Sequence, residues 1–479
     1  MKDQHIIAGS VPEQRTQDFS RRDFLYGSAA GAAAAAMFNP ALAAAQSVGV
    51  KPGDLPDLTI KEVKVYATDM TNIHRLNGTE TGELVSVVTH SGIEGNYTIG
   101  NRNHTVGWLD WAKATLVGKS VTDLLPTLAA TSGMKGPGGF DASAFGRRAA
   151  GGRPAPAAPG FGMDVPRVGE GPAFGGAAIV GSGLQTRGSG SWPNYYIAAA
   201  DVCLWDILGK SVNRPIYKIL QGGVSTKDRV MAYASSNHLP AVEDYVPDAL
   251  KAKELGYKGY KIHPGRGQHR SGPEIPTYKG HMEEIREIRK AVGDEFVLMH
   301  DPVQMYNRFE ALTVGQLLDE LDYLWFEDPI RTIDQEGLIE LGKRLHLPMH
   351  VGEFIYSIAD YAEYIKRDAL GAVRLISDNV GGISGSMRVG LLADAHGLEC
   401  APHNWGNEYD MMVAFQLELA LPNAYWFEMP HPVEYTDRPY LKNKFRIDQD
   451  SYVLAPTDPG LGLPIDRAAL DKLTTKILR

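Results

Sequence analysis

The chain has 479 residues, 43% hydrophobic and 22% charged, enough apolar material for one large or two moderate domains. Its formal net charge of −9 at pH 7 is interrupted by no basic tract, which argues against nucleic acid as a partner. The two cysteines, Cys203 and Cys400, both lie in apolar runs and are expected to be buried free thiols rather than a disulfide.

The N-terminus reads as a leader. Ser20-Arg21-Arg22-Asp23-Phe24-Leu25 is a twin-arginine pattern. An alanine-dominated apolar stretch follows from about Gly27, and Ala41-Leu42-Ala43 has the small-residue spacing of a cleavage site. Residues 1–45 are therefore expected to be a twin-arginine signal peptide that delivers a folded protein to the periplasm through that export machinery. The stretch is too weakly apolar for a stable membrane anchor, and no other run is long enough to span a bilayer.

Residues 46–195 read as an α+β capping domain. Thr59–Tyr66 and Glu83–Thr89 alternate like antiparallel strands, and helical segments follow at about Gly107–Leu116 and Val121–Leu128. A Gly/Ala/Pro-rich insertion then covers 131–191, a composition that buries little. Order resumes with a helix expected over Asn194–Leu220. Eight strand-like runs occur near 229–234, 258–263, 296–301, 323–327, 348–353, 373–378, 398–402 and 424–428, with helical patterns between them. This repeat predicts a closed parallel barrel over residues 196–430. A doubly wound sheet is the alternative, but no Gly-rich phosphate turn follows any strand. Residues 431–479 lack the repeat and are expected to pack back on the capping domain.

Chemistry concentrates at the strand ends. Asp301, Glu327 and Glu353 close three successive runs at intervals of roughly 25 residues, one strand plus one crossover helix. Adjacent parallel strands deliver such residues to one face, where three hard oxygen donors suit Mg²⁺ or a similar cation. Lys261 and His263 share one side of the second strand, because strand side chains alternate. His403 ends the seventh strand and Asp378 the sixth, a pair able to form a dyad in which aspartate orients imidazole. Glu428 is a further carboxylate at the rim, able when protonated to hydrogen-bond substrate.

Taken together, several stretches resemble the enolase superfamily in its mandelate racemase/muconate lactonizing enzyme-like branch. They are Ala198–Lys210, Lys261-Ile-His263, Asp301, Phe326-Glu327-Asp328-Pro329, Gly352-Glu353, Gly381–Gly385, His403 and Pro459–Leu463. The resemblance implies an α+β cap over a modified TIM barrel, (β/α)₇β. It also implies Mg²⁺ held by Asp301, Glu327 and Glu353, and removal of a proton α to a carboxylate. Three departures stand out: His263 where the family often has lysine, Val303 where it often has asparagine, and Asp378 closer to the Gly-Gly pair than the family's dyad aspartate.

The leading expectation is a Mg²⁺-dependent lyase that dehydrates an acid sugar to a 2-keto-3-deoxy acid. His403 would act as base, acid or both, with Lys261 or His263 opposite. A racemase or epimerase of a 2-hydroxy acid is the second reading, and a catalytically degenerate, exported sugar-acid binding protein the third. A hydrolytic metal barrel fits less well, since Val230–Ser235 offers no His-x-His pair. Substrate-selecting loops are expected at Thr71–Gly82, with His74 and Arg75, and at Tyr97–His104, with Arg102. A homo-oligomer is the expected assembly.

Overall fold

The computed structural model describes residues 39–70, 83–99, 102–131, 192–221, 227–239, 241–265 and 278–479. The twin-arginine pattern, the 71–82 loop with His74 and Arg75, the side chain of Arg102 and nearly all of the 131–191 insertion lie outside the described residues.

Two sheets organise the described residues. The smaller is antiparallel, in the order β13-β1-β2-β3, from β1 (Ile60–Thr68), β2 (Glu83–Thr89), β3 (Glu94–Ile99) and the C-terminal β13 (Thr474–Leu478). The last strand of the chain thus completes the N-terminal sheet by pairing with β1. The larger sheet contains β4 (Arg229–Ser235), β5 (Gly259–Ile262), β6 (Val297–His300), β7 (Phe326–Glu327), β8 (Met349–Val351), β9 (Ala372–Leu375), β10 (Glu399–Pro402) and β11 (Trp426–Pro430). These eight are parallel neighbours in sequence order, β11 pairs with β4, and β10 packs beside β11, so the ring nearly closes. Short β12 (Tyr452–Leu454) adds antiparallel to β4.

Between the sheets lies a helix, Trp192–Ser211, that is apolar on nearly all sides. It packs on β3 and on a barrel helix, Gly382–Ala395, and Ala198–Leu204 and Trp205 are buried. A helix buried all round needs no polar face, which is why its sequence shows little amphipathic pattern. It ends near Asn213, whose φ is +52°, and Pro215, so the single helix expected to Leu220 is two.

The barrel interior carries its own apolar plug. Tyr233 stands edge-on to Trp325 at 5.3 Å and to Trp426 at 6.4 Å, and Met299 completes the cluster. Side chains filling a barrel make it a packed core, not a pore, so chemistry is confined to the strands' C-terminal ends.

One boundary drawn from sequence falls inside folded structure. Pro40–Val48 is a helix, capped by Asn39 Oδ1 accepting from Leu42 N–H at 3.0 Å. It stops at Gly49 with φ +74°, where Gly49 N–H donates to Gln46 O and Val50 N–H to Ala45 O. Ala43, Ala44 and Ala45 are buried, and this helix packs on the helices Ile216–Leu220, Val121–Thr131 and Trp192–Ser211. A leader ending at residue 45 would therefore carry away most of a packed, doubly capped helix.

Candidate metal centre and active site

Each carboxylate of the triad reaches the barrel mouth by a different local device. Asp301 follows β6 directly, and its Oδ1 accepts from Val303 N–H at 2.9 Å. That bond comes from a left-handed turn, Val303 at φ +51° and Gln304 at +61°, and the β-branched Val303 is strained there. Glu327 ends β7. Glu353 follows Gly352, whose φ of +144° and position leave no room for a side chain: a Cβ there would sit 2.2 Å from Arg374 O. One oxygen from each of Asp301, Glu327 and Glu353 lies within 4.8 Å of the others.

Beneath them is a buried ionic lattice. Lys261 Nζ lies 2.8 Å from Glu327 Oε2, 2.7 Å from Glu428 Oε1 and 3.4 Å from Asp301 Oδ2. Arg374 of β9 donates from Nε to Glu327 Oε1 at 2.8 Å, pairs through Nη2 with Glu428 Oε2, and donates from Nη1 to the carbonyls of Ala401 and Pro402. All four of Lys261, Arg374, Glu327 and Glu428 are fully buried. Burial alone favours a neutral lysine, but Glu327 and Glu428 outweigh it, and the Lys261 ammonium is held well above its usual range. Lys261 is thus a fixed cation in this arrangement, not a base. Glu428 likewise does not stand protonated at the rim. It lies within β11, and although burial opposes ionisation, Arg374 and Lys261 prevail and keep it a carboxylate. It also accepts from Ser235 Oγ and Asn404 N–H, both at 2.8 Å.

Charge counting tests the site against a divalent cation. Asp301, Glu327, Glu353 and Glu428 face Lys261 and Arg374, so two negative charges remain uncompensated. Burial, then repulsion from Asp301, Asp328 and Glu327, pushes the Glu353 carboxyl well above its usual range. Burial also holds Asp328 high, so it adds no charge. Burial raises Glu327 as well, so hard oxygens, two triad acids held above their usual range and a balance of −2 once all four acids are ionised fit Mg²⁺. Because Glu353 must lose a proton to bind an ion, binding should release about one proton, and affinity should fall roughly tenfold per pH unit below that group's pKa. Calorimetry of Mg²⁺ binding in two buffers of different ionisation enthalpy measures this. Proton release of zero at every pH tested would contradict it.

Two histidines flank the triad. His263 directs Nδ1 at the carbonyl oxygen of Ser236, which can only accept, so Nδ1 carries hydrogen and Nε2 is the working atom. That Nε2 lies 2.9 Å from Asp301 Oδ2, and the ring meets Trp405 edge-on at 5.3 Å. Opposite, His403 follows β10 with Nε2 3.6 Å from Glu353 Oε1. Burial lowers it to about 3; Glu428 is the strongest opposing influence, with Asp301 behind it, while Arg374 and Lys261 add to the lowering, so it is a neutral imidazole.

Asp378 is not brought to His403. The strand expected to run to 378 ends at Leu375, and Ser377–Val380 turns into a short helix closed by Gly381 at φ +89°. Asp378 instead meets Tyr97 and Asp410. Arg374, Asn404, Trp405 and Ser235 belong to the site but were not singled out from sequence. An arginine inside the apolar strand Ala372-Val-Arg-Leu375 was a readable signal, since a buried cation demands carboxylates nearby.

Comparison with known proteins agrees with this geometry. Residues 244–469 match the enolase C-terminal domain-like family. Most of the barrel therefore resembles the enolase superfamily. Among curated relatives, arabinonate dehydratase of Saccharolobus solfataricus is 27% identical over 285 residues, 58% of this chain and 72% of the relative. L-talarate/galactarate dehydratase of Salmonella typhimurium is 28% identical over 256 residues, 53% of this chain and 58% of the relative. Among solved structures, D-glucarate dehydratase from Agrobacterium tumefaciens complexed with magnesium superposes with a TM-score of 0.64 over 88% of this chain and all of that one, at 23% identity. The 3,6-anhydro-D-galactonate cycloisomerase from Zobellia galactanivorans superposes at 0.63 over 87% of this chain, at 20% identity. These structural likenesses establish the fold, and the cycloisomerase shows that this fold does not by itself choose the reaction.

Proposed function

We propose that the enzyme is a Mg²⁺-dependent dehydratase that converts an acid sugar to a 2-keto-3-deoxy acid. The observation that carries this reading is the pair of imidazoles on either side of one carboxylate triad. β5 adjoins the ligand-bearing strands β6 to β8 on one side and β10 lies beyond β9 on the other, so His263 and His403 approach a molecule seated on the triad from different sides. The dehydratase names of the curated relatives support the same reaction class.

Bound Mg²⁺ would offset the substrate carboxylate and the charge that develops on it as the α-proton leaves. His403, neutral and half-buried, accepts that proton at Nε2. His263 has both ring nitrogens facing oxygens, the arrangement of a proton donor, and gives its Nε2 proton to the β-hydroxyl. The hydroxyl departs as water, the C–O electrons leave with it, and the electrons of the broken C–H bond form the enol. The enol becomes the 2-keto product when C3 takes a proton back from His403 and the enol oxygen releases its own proton to water, from which His263 is reprotonated. Lys261 and Arg374 hold Glu327 and Glu428 in place and take no proton in this sequence.

A panel of aldonic and aldaric acids with Mg²⁺ tests the proposal. A 2-keto product is expected from at least one acid. Exchange of the α-hydrogen in D₂O without keto product would favour the epimerase reading, and Mg²⁺-dependent binding without exchange the degenerate one.

Export by the twin-arginine route is a companion proposal, supported by Ser20–Leu25 and by the advantage of folding a metal site before crossing. The capped helix narrows it: processing that spares Pro40–Val48 cuts before Asn39. The N-terminal residue of protein recovered from the periplasm tests this, and an N-terminus at Ala44 would refute it.

A further inference from the structure

Two aspartates that the chemistry above leaves unused meet one tyrosine where the cap sits on the barrel. Tyr97 of β3 is buried, and its hydroxyl lies 2.9 Å from Asp378 Oδ1 and 2.8 Å from Asp410 Oδ1. Asp378 comes from the short Ser377–Val380 helix and Asp410 from the first turn of the helix Glu408–Ala420. A phenol has one hydrogen to donate, so it satisfies one carboxylate. The second contact is a hydrogen bond only if that carboxyl carries a proton and donates to the phenol oxygen. Asp410 Oδ2 accepts from Asn407 N–H at 3.0 Å and Asn407 Nδ2 at 2.7 Å, bonds that favour its ionised form. The chain therefore runs from the Asp378 hydroxyl to Tyr97 Oη, and from the Tyr97 hydroxyl to Asp410. Thr98 reinforces it, accepting from Asn407 Nδ2 at 3.0 Å.

We propose that Asp378, Tyr97 and Asp410 form a one-proton latch that docks the cap on the barrel and positions the Glu353 loop, and that it loosens when the shared proton is lost. The route to the site is short. Asn379, beside Asp378, donates from Nδ2 to Glu353 O at 3.0 Å, and its own carbonyl accepts from Asn194 Nδ2 at 3.1 Å. Without the proton, two carboxylates face one phenol hydrogen, and their repulsion acts directly on the seam between β3 and the rim. Burial, aided by Asp410 and opposed by Tyr97, raises Asp378 to about 8, so the latch is closed at neutral pH. Burial, Asp378 and Asp410 keep the Tyr97 phenol a donor. Among the described residues, the titratable groups nearby include aromatic neighbours and acids engaged with other partners. Tyr195 bears on Tyr97, and Tyr409 stands edge-on to it at 6.3 Å. Asp201 accepts from Ser384 N–H, Asp206 pairs with Lys210, and Glu408 pairs with Lys444.

Only the catalytic consequence of the latch rests on the proposed dehydration; its closure is read without substrate. Asp378 takes up a proton on folding, so its contribution to stability is full at low pH, declines as pH rises from the ordinary carboxyl range, and levels off above about 8. Asp378→Asn offers Tyr97 a permanent N–H donor and removes that decline. The gap in Tm between Asp378→Asn and wild type should widen in the variant's favour between about pH 5 and pH 8.5, and should vanish in a Tyr97→Phe background. Asp410→Asn should flatten the same slope, which keeps the test open should Asp378→Asn not fold. With an active acid, the wild-type KM should rise above pH 8 while kcat holds, and the KM of Asp378→Asn should not. A Tm gap that is constant with pH, or that persists without Tyr97, overturns the latch. If no acid is turned over, the melting data still decide, so failure of the dehydratase reading is distinguishable from failure of the latch.

Discussion

Replacing Arg374 by methionine is expected to destabilise the folded enzyme by about 3–5 kcal/mol, the usual cost of removing one partner from a buried ion pair. The side chain is fully buried and serves four acceptors: Glu327, Glu428 and the carbonyls of Ala401 and Pro402. Methionine fills much of the volume but returns none of those donors. Glu327 and Glu428 would then share only Lys261, and two carbonyls would lose their N–H partner. Non-additivity separates this from simple loss of packing. Removing Glu428 as well, in Arg374→Met/Glu428→Gln, takes away one of the stranded charges, so the double variant should lose less than the sum of the single losses. Saturating Mg²⁺ should narrow the deficit, because it neutralises charge at Glu327. Denaturant melts of the four proteins, with and without Mg²⁺, measure all of this. A loss below about 1 kcal/mol for Arg374→Met would show that the lattice does not depend on the guanidinium.

How much of this site could be read from the chain depends on whether a residue's role is local or is created by its neighbours. Asp301, Glu327 and Glu353 were legible because a repeating βα unit delivers every strand end to the same face, so spacing alone brings them together. His263 and His403 were legible for the same reason. Asp378 was misplaced because a run of apolar residues does not show where a strand stops. Leu375 ends β9, and the left-handed Gly381 closes a helical turn that swings Asp378 toward the cap. Glu428 was read as a rim residue, yet β11 continues to Pro430 and leaves it below the mouth, where two cations fix its charge. Tyr97 and Asp410 were invisible as partners because their sequence separation of 313 residues is bridged only by the docked cap. The Pro40–Val48 helix was hidden by composition. Alanine runs fit a leader, but Asn39 before Pro40 and Gly49 after Val48 are helix start and stop signals.

The two histidines should fail in different ways when replaced. His403→Asn keeps a polar group of similar reach but cannot take up the α-proton, so both hydrogen exchange at the α-carbon and dehydration should fall by about 10²–10⁴-fold. His263→Asn removes the group that protonates the departing hydroxyl. Dehydration should fall comparably, while α-deuterium exchange survives because His403 remains a neutral base. Mg²⁺ affinity should hold in His403→Asn, whose ring lies 3.6 Å from Glu353 and carries no charge to lose. In His263→Asn affinity should hold or rise, because Asp301 loses a competing partner at 2.9 Å. Exchange in D₂O followed by proton NMR, alongside a keto-acid assay, separates the steps. If His263→Asn loses exchange and His403→Asn retains it, the roles are reversed. If either variant keeps both activities, that histidine moves no proton, and the two-imidazole arrangement no longer explains the chemistry.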